Sequence, residues 1–273
     1  MRHRFNALTY VAASALLTFL SGCGGGNTQP GASEPAPGAD RTAKTTGLET
    51  GAAVMQDKAP VEEISMYLVG FHPSKSDPAM QMESHHYCDQ VNEDFAQCVL
   101  YDGNTAQARL HGVEYIISEK LYATLPAQEK PYWHPHNYEI LSGQLRLPGL
   151  PEVAENEALK TKINSYGKTW HFWKTGVYQG ENDQLPLGPP HLAWSFNHDG
   201  EAKPGMVEAR DERMNLDSAE ARKTRAAWAP MARPQAGVDV LAGKFPDAKG
   251  APDGVKDSGD TQAAGVPVLT MKQ

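Results

Sequence analysis

The sequence lacks the motifs that identify the common soluble enzyme classes. Its 273 residues contain no Gly-x-Ser-x-Gly nucleophile motif, no Walker phosphate-binding loop and no dinucleotide-binding glycine motif. Clusters of Lys and Arg are also missing, and the formal net charge is -8, so we predict that nucleic acid is not a partner. The chain carries no complete catalytic motif, and its function has to be inferred from smaller features.

Long hydrophobic runs are scarce as well. The apolar run from Ala7 to Leu20 has 14 residues, too few for a helix that crosses a hydrocarbon core of about 30 Å. It follows Arg2 and Arg4, and no acidic residue precedes Glu34. A cationic start followed by a short apolar run is typical of a secretory signal peptide, which we predict at residues 1–22.

The apolar run ends on Leu20-Ser21-Gly22-Cys23, the lipobox pattern of bacterial lipoproteins. We predict cleavage before Cys23, attachment of a diacylglycerol anchor to its thiol with palmitate among the acyl chains, and anchoring of the exported chain to a membrane of the cell envelope. Gly24, in place of Asp, favours the periplasmic face of the outer membrane if the host is Gram-negative. The alternative is an ordinary signal peptide that happens to have a cysteine nearby.

Composition divides the rest of the chain. Residues 23–60 are rich in Gly, Pro, Ala, Ser and Thr, which predicts a disordered, flexible tether. Residues 61–229 hold all five tryptophans and form the predicted globular domain. Residues 230–273 are again rich in Pro, Gly and Ala, which predicts a disordered tail.

The pattern of the globular part predicts a single α+β domain with a mainly antiparallel sheet and a few packed helices. Aromatic and β-branched runs predict paired antiparallel strands at residues 95–101 and 112–117. A strand pair or a bent strand around Ser142-Gly143 is predicted at residues 138–147, and further strands at 168–175 and 192–196. Capping residues, prolines and glycines predict helices at residues 118–125, 151–166 and 211–227.

Short blocks of residues occur in order through this domain. They include Gly70-Phe71-His72, His85-His86-Tyr87-Cys88, Ala108-Arg109-Leu110, Gly112-Val113-Glu114-Tyr115, Trp133-His134, Tyr166-Gly167-Lys168, Trp170-His171-Phe172-Trp173 and Leu185-Pro186-Leu187-Gly188. Together they resemble the oil body-associated protein family, over about residues 64–228. The resemblance implies kinship with plant proteins associated with seed lipid droplets, and it carries over no established activity.

Histidines and carboxylates give the sharpest chemical signal in the domain. His134 and His136 are two residues apart, so on a strand both would project from one face, with Glu139 close behind. This pattern is similar to the first metal motif of cupins, and a segment that ends at His191 is similar to the second. The candidate ligands of a divalent transition metal are His134, His136, Glu139, His171 and His191.

Two alternatives to a metal site stay open. Imidazoles beside aromatic residues, such as His171, often pack and donate to backbone carbonyls as structural groups. One histidine could also transfer protons together with Glu114 or Glu139. His85, His86 and Cys88 could add ligands to a metal site. His85 and His86 would face opposite sides of a regular strand, so both could not bind one ion.

Cys88 and Cys98 are the other two of the three cysteines. After export they would meet an oxidising compartment, where a disulfide between them is permitted. The alternative is that both are small buried apolar residues.

These features support two hypotheses of different classes. The first is a non-enzymatic envelope lipoprotein whose domain has a binding or structural role, with a lipid or another hydrophobic molecule as its partner. The second is a metal-dependent enzyme with a cupin-like site of histidines and glutamate. Enzymatic activity is uncertain from the sequence, and the absence of a complete catalytic motif favours the first hypothesis, in which the protein is not an enzyme.

Cys23 carries the most direct prediction. Because the thiol is the group that forms the thioether, we expect Cys23→Ser to remain an unlipidated precursor. Metabolic labelling with palmitate measures this, and unchanged labelling of the variant would contradict the predicted anchor.

Overall fold

The computed structural model describes residues 37–175 and 183–259. The predicted signal peptide, Cys23 and the first part of the tether lie outside these residues, as do residues 260–273 of the predicted tail. Among the described residues, no helix is long and apolar enough to cross a membrane.

An antiparallel sheet organises the domain. Its strands are β1 (Met66–Pro73), β2 (Gln81–Asn92), β3 (Phe95–Tyr101), β4 (Leu110–Ile117), β5 (His134–Pro135), β6 (Tyr166–His171) and β7 (His191–Leu192). Their order across the sheet is β1-β2-β3-β4-β6-β5, and β7 pairs with β6. The sheet curls into a half barrel, and the fold is the predicted α+β domain.

Helices lie before, between and after the strands. They are α1 (Ala43–Met55), α2 (Ala59–Glu62), α3 (Glu119–Thr124), α4 (Asn137–Leu141), α5 (Glu152–Lys160), α6 (Met206–Met214) and α7 (Ser218–Arg225). Short 3-10 helices occur at Lys130–Tyr132 and Ala226–Met231.

One row of paired residues defines the inner face of the sheet. Leu68, His86, Leu100, Gly112 and His171 are successive cross-strand partners from β1 to β6. Side chains alternate along a strand, so residues two positions away from this row lie on the same face. The inner face carries most of the polar residues of the candidate site, and α4 and α5 pack over it.

Several predicted elements are confirmed. Strands β3 and β4 pair antiparallel over residues 95–101 and 110–117, as the alternating runs indicated. Helix α3 begins after Ser118, whose hydroxyl accepts from the backbone N–H of Leu121, and Pro126 follows its end. Ser118 therefore caps the helix as the sequence predicted.

The strand predicted at residues 138–147 is wrong, because this segment begins with helix α4. All five residues of α4 are buried, so hydrophobicity there reflects complete burial and not a half-exposed strand. Gly143 then turns the chain at a φ of 81°. A side chain there would meet the carbonyl oxygen of Ser218 at 2.2 Å.

Several other predicted helices and strands end earlier in the structure than the sequence indicated, or are divided. The helix predicted at residues 211–227 is two helices, because Asn215 takes a left-handed conformation and Asp217 caps α7. The helix predicted at residues 151–166 ends at Lys160, and the strands predicted at 168–175 and 192–196 end at His171 and Leu192.

Both flanks of the predicted domain are more ordered than their composition indicated. Residues 43–55 form helix α1, which buries none of its residues and is capped by Thr42. Beyond residue 229, four apolar side chains enter the main core: Val238, Leu241, Phe245 and Val255. The predicted domain end at residue 229 is therefore too early, and residues 230–259 belong to the packed domain.

Leu241 tests this boundary. Its side chain is 3% exposed, so we expect Leu241→Ala to lower the free energy of unfolding by about 2–5 kcal/mol in urea denaturation. Exposed Asp253, in the same segment, provides the control, and Asp253→Ala should change little. Equal, small effects of both variants would mean that the segment does not pack.

Candidate metal centre

Glu114 lies at the centre of the candidate site. It occupies the inner face of β4 and is 2% exposed. Four imidazoles direct their Nε2 atoms to its carboxylate. The Nε2–oxygen distances are 2.8 Å for His86, 3.3 Å for His136, 3.6 Å for His134 and 3.9 Å for His72. Because these residues come from β2, the start of α4, β5 and β1, the cluster joins both ends of the sheet.

Gly167 makes this close approach possible. It lies on β6, opposite Ile116 of β4 and His134 of β5. A Cβ atom at this position would lie 2.2 Å from Glu114 Oε1 and 2.6 Å from His134 Nε2. The cluster therefore requires a residue without a side chain at position 167.

Outer hydrogen bonds fix the orientation of two of the imidazoles. The Nδ1 atom of His86 lies 3.0 Å from the carbonyl oxygen of Ser84, which can only accept, so Nδ1–H donates. The hydroxyl of Ser165 donates to the carbonyl of Lys162 at 2.7 Å and accepts from His136 Nδ1 at 2.8 Å. In the neutral rings, both Nε2 lone pairs therefore face Glu114.

The other two imidazoles are almost free of hydrogen bonds. Neither ring nitrogen of the buried His134 has a hydrogen-bond partner among the described residues. His72 Nδ1 lies 3.1 Å from His171 Nε2, so His171 contacts His72 through the ring nitrogen that does not face Glu114. A buried nitrogen without a partner is costly, which points to a ligand for His134.

Burial sets the charges of the cluster. It lowers the pKa of His72 to about 3 and also lowers the pKa of His134 well below its ordinary value. For Glu114, burial alone would raise the pKa, but the neighbouring imidazoles, above all His136 and His86, hold it well below its usual range. The cluster therefore combines a carboxylate with at least two neutral imidazoles.

Glu139 is close to the Glu114 carboxylate, but its pKa is shifted in the opposite direction. Burial, and then the charge of Glu114, raise its pKa well above the ordinary value. Its Oε2 lies 3.9 Å from His136 Nε2. Two overlapping groups keep their potential ligand atoms within 4.8 Å of one another: His72, Glu114 and His134, and His134, His136 and Glu139.

The five predicted ligands have different positions. His134, His136 and Glu139 come together, although His136 begins a helix and not a strand. His171 contacts His72 but belongs to neither ligand group among the described residues. His191 pairs with His171 through the backbone, but its half-buried side chain belongs to neither ligand group among the described residues. Its predicted role as a ligand therefore has no geometric support.

Neither the participation of His72 nor the central position of Glu114 was predicted from the sequence. The available signal was a glutamate within the apolar run of β4, at a position where alternation predicts a buried side chain. His85 and His86 face opposite sides of β2, as predicted. His85 bonds to Glu83 and Tyr67 on the outer face.

Cys88 and Cys98 are directly opposed on β2 and β3, and their sulfur atoms are bonded to each other. Cys98 is also the cross-strand partner of Glu114. The disulfide therefore lies on the inner face, next to the histidine cluster.

The domain is thus of the α+β class, with a curled antiparallel sheet that buries a cluster of histidines around a glutamate. The family described as "Protein of unknown function (DUF1264)" matches residues 58–229. Oil body-associated protein 1B of Arabidopsis thaliana is 38% identical over 206 residues, covering 76% of this chain and 83% of the relative. Oil body-associated protein 1A of Zea mays is 37% identical, with 76% and 84% covered.

The chain therefore belongs to the oil body-associated protein family. Oil body-associated protein 2A of Arabidopsis thaliana is also similar, with 38% identity over 69% of this chain and 75% of the relative. No solved structure matches the chain.

Gly167→Ala tests whether the cluster controls packing. Since the added methyl group would collide with Glu114 and His134, we expect a loss of about 1–3 kcal/mol in the free energy of unfolding. Gly250→Ala is the control, because its added methyl group meets open space. Urea denaturation measures both, and equal stability of the two variants would contradict the close packing at Gly167.

Proposed function

We propose that this domain is a metalloprotein that holds one divalent transition-metal ion at Glu114. The ion would take its ligands from His72, His86, His134 and His136 around the Glu114 carboxylate, with Glu139 as an additional oxygen donor. His134 belongs to both groups of converging ligand atoms, and His86 is included because its Nε2 lies 2.8 Å from the carboxylate. One observation carries the proposal: two imidazoles are anchored through Nδ1 so that their Nε2 lone pairs face a buried carboxylate.

A bound cation accounts for this arrangement. Lone pairs of neutral imidazoles repel a carboxylate at 2.8–3.3 Å, and a positive charge between them would reverse the interaction. Ligands at about 2.0–2.2 Å from an ion lie roughly 2.8–3.6 Å from one another, with the shorter separations in octahedral and the longer ones in tetrahedral geometry. Three of the four observed Nε2–oxygen distances, 2.8, 3.3 and 3.6 Å, fall in this range. A proton shared by Glu114 and His86 is the competing explanation, but it leaves both nitrogens of His134 without a partner in the part of the chain that the structure describes.

The surroundings fit metal ligands as well. Metal-binding histidines usually donate their other ring N–H to a carbonyl, a carboxylate or another acceptor, which fixes the ring. Here the carbonyl of Ser84 and the hydroxyl of Ser165 have this role. Imidazole and carboxylate together suit zinc, iron, manganese or nickel.

The metal centre is favoured over a purely structural role because a structural core has no need of so many ionisable groups. An ion at this site would supply a Lewis acid or a redox centre, which is the chemistry that a metal-dependent enzyme requires. The alternative is a binding domain for a lipid or another hydrophobic molecule. The names of the oil body-associated relatives support that alternative.

We also propose that the chain is exported and anchored through acyl chains on Cys23. The lipobox and the short apolar run before it support this localisation. The membrane is then the partner of the lipid anchor, while the metal centre lies in the separately folded domain.

Metal content tests the proposal. We expect the mature chain (residues 23–273, with Cys23→Ser to prevent lipidation) to bind one equivalent of zinc or cobalt(II). Elemental analysis gives the stoichiometry, and the visible absorption of cobalt(II) reports nitrogen ligation. Glu114→Gln and His134→Ala should each abolish stoichiometric binding, whereas a proton-sharing cluster would bind no metal in any variant.

Two further variants separate a specific loss from misfolding. Ser165→Ala removes the acceptor of His136 Nδ1–H, together with the hydroxyl's own bond to the carbonyl of Lys162, and leaves every proposed ligand in place. We therefore expect binding to weaken by roughly 10–100-fold. His198→Gln is the matched control, because His198 pairs with Glu201 and Asp239, outside the cluster. Loss of metal from His198→Gln would show that the assay reports on folding and not on the site.

A further inference from the structure

A narrow cavity of about 40 Å³ reaches the candidate metal centre from the surface. Its inner end is formed by His72, His86, Glu114, His136 and Glu139. The 40 Å³ is the space in which the centre of a water-sized sphere can move. Spread over the roughly 13 Å from Gln90 to His86, it describes a path about one methylene group wide. Rings and branched molecules therefore do not fit.

Apolar side chains form the middle of the cavity. They are Leu68, Cys88, Ala96, Leu145, Leu147 and Leu159. A molecule that passes between them loses its water and gains no hydrogen bond there. The lining thus favours hydrocarbon over a polar substrate.

The outer end of the cavity is half-buried and polar. Along β2, the inner face proceeds from half-buried Gln90 to Cys88 and His86, both 4% exposed. Gln90 and His86 are four residues apart, about 13 Å along a strand. Lys162 lies at the same outer end and donates to Gln90 Oε1 at 2.6 Å.

Lys162 provides a positive charge at this entrance. Its ammonium group is partly desolvated, and burial lowers its pKa, although the charges of Glu93 and Asp94 oppose this change. A partly desolvated ammonium gains more from an anionic hydrogen-bond partner than an exposed one does.

We propose that the cavity is the substrate channel of the metal centre and admits the end of an unbranched aliphatic chain with an anionic head group. The chain end reaches the ion between the apolar walls, and the head group remains at Lys162. This inference rests on the proposed metal centre. It adds the substrate class, a fatty acid or a similar single-chain amphiphile, and its direction of entry.

Paramagnetic broadening tests both the class and the direction. The mature chain is loaded with cobalt(II), and sodium decanoate is the probe. We expect the terminal methyl resonance of decanoate to broaden much more than the methylene next to the carboxylate. The zinc-loaded protein, which is diamagnetic, corrects for simple binding.

Variants of the channel provide matched pairs. Ala158 lines the cavity and Ala154 of the same helix is exposed, so Ala158→Trp should abolish the methyl broadening and Ala154→Trp should retain it. Lys162→Met should weaken decanoate binding roughly tenfold, the value of one charge-assisted hydrogen bond. Lys223→Met, which removes an exposed lysine of α7, should leave it unchanged.

The outcomes separate the two proposals. Failure of the protein to bind cobalt overturns the metal centre and the channel together. Cobalt binding without methyl broadening, or with stronger broadening beside the carboxylate, overturns the channel and leaves the metal centre standing. Persistent methyl broadening in Ala158→Trp also overturns it, because the chain would then enter elsewhere.

Discussion

The buried carboxylate of Glu114 is the constraint on which the centre of this structure depends. Removing a carboxylate from water costs several kcal/mol, so the fold has to supply compensating partners. It does so with four imidazoles from three separate parts of the chain: His72 of β1, His86 of β2, and the neighbouring His134 and His136. The curl of the sheet brings these segments together, and the absence of a side chain at Gly167 leaves room for them.

Much of the fold can be predicted from local sequence, whereas much of the candidate metal centre cannot. The paired strands and the cap at Ser118 depend on alternation and short-range hydrogen bonds, which neighbouring residues determine. The meeting of His134, His136 and Glu139 was also predictable, because three close positions stay close in most local structures. His72 joins them only through strand pairing over a long sequence separation, which no local pattern contains.

Amino-acid composition gave a wrong prediction for the segment that follows residue 229, for a related reason. A segment with many prolines and glycines resembles a linker, yet residues 230–259 need only four well-placed apolar side chains to dock on a preformed core. The Trp194 indole donates to the carbonyl of Gly237 and helps to fix the segment. Docking depends on the surface that receives a segment, and average composition does not describe that surface.

Gly167 also links the evolution of three positions. Any larger residue there competes for space with Glu114 and His134, so a relative can change position 167 only if the carboxylate or the imidazole changes with it. Members of the family should therefore divide into those that keep all three residues and those that have lost the set. That division offers a way to recognise, from sequence alone, which members share the chemistry of this cluster.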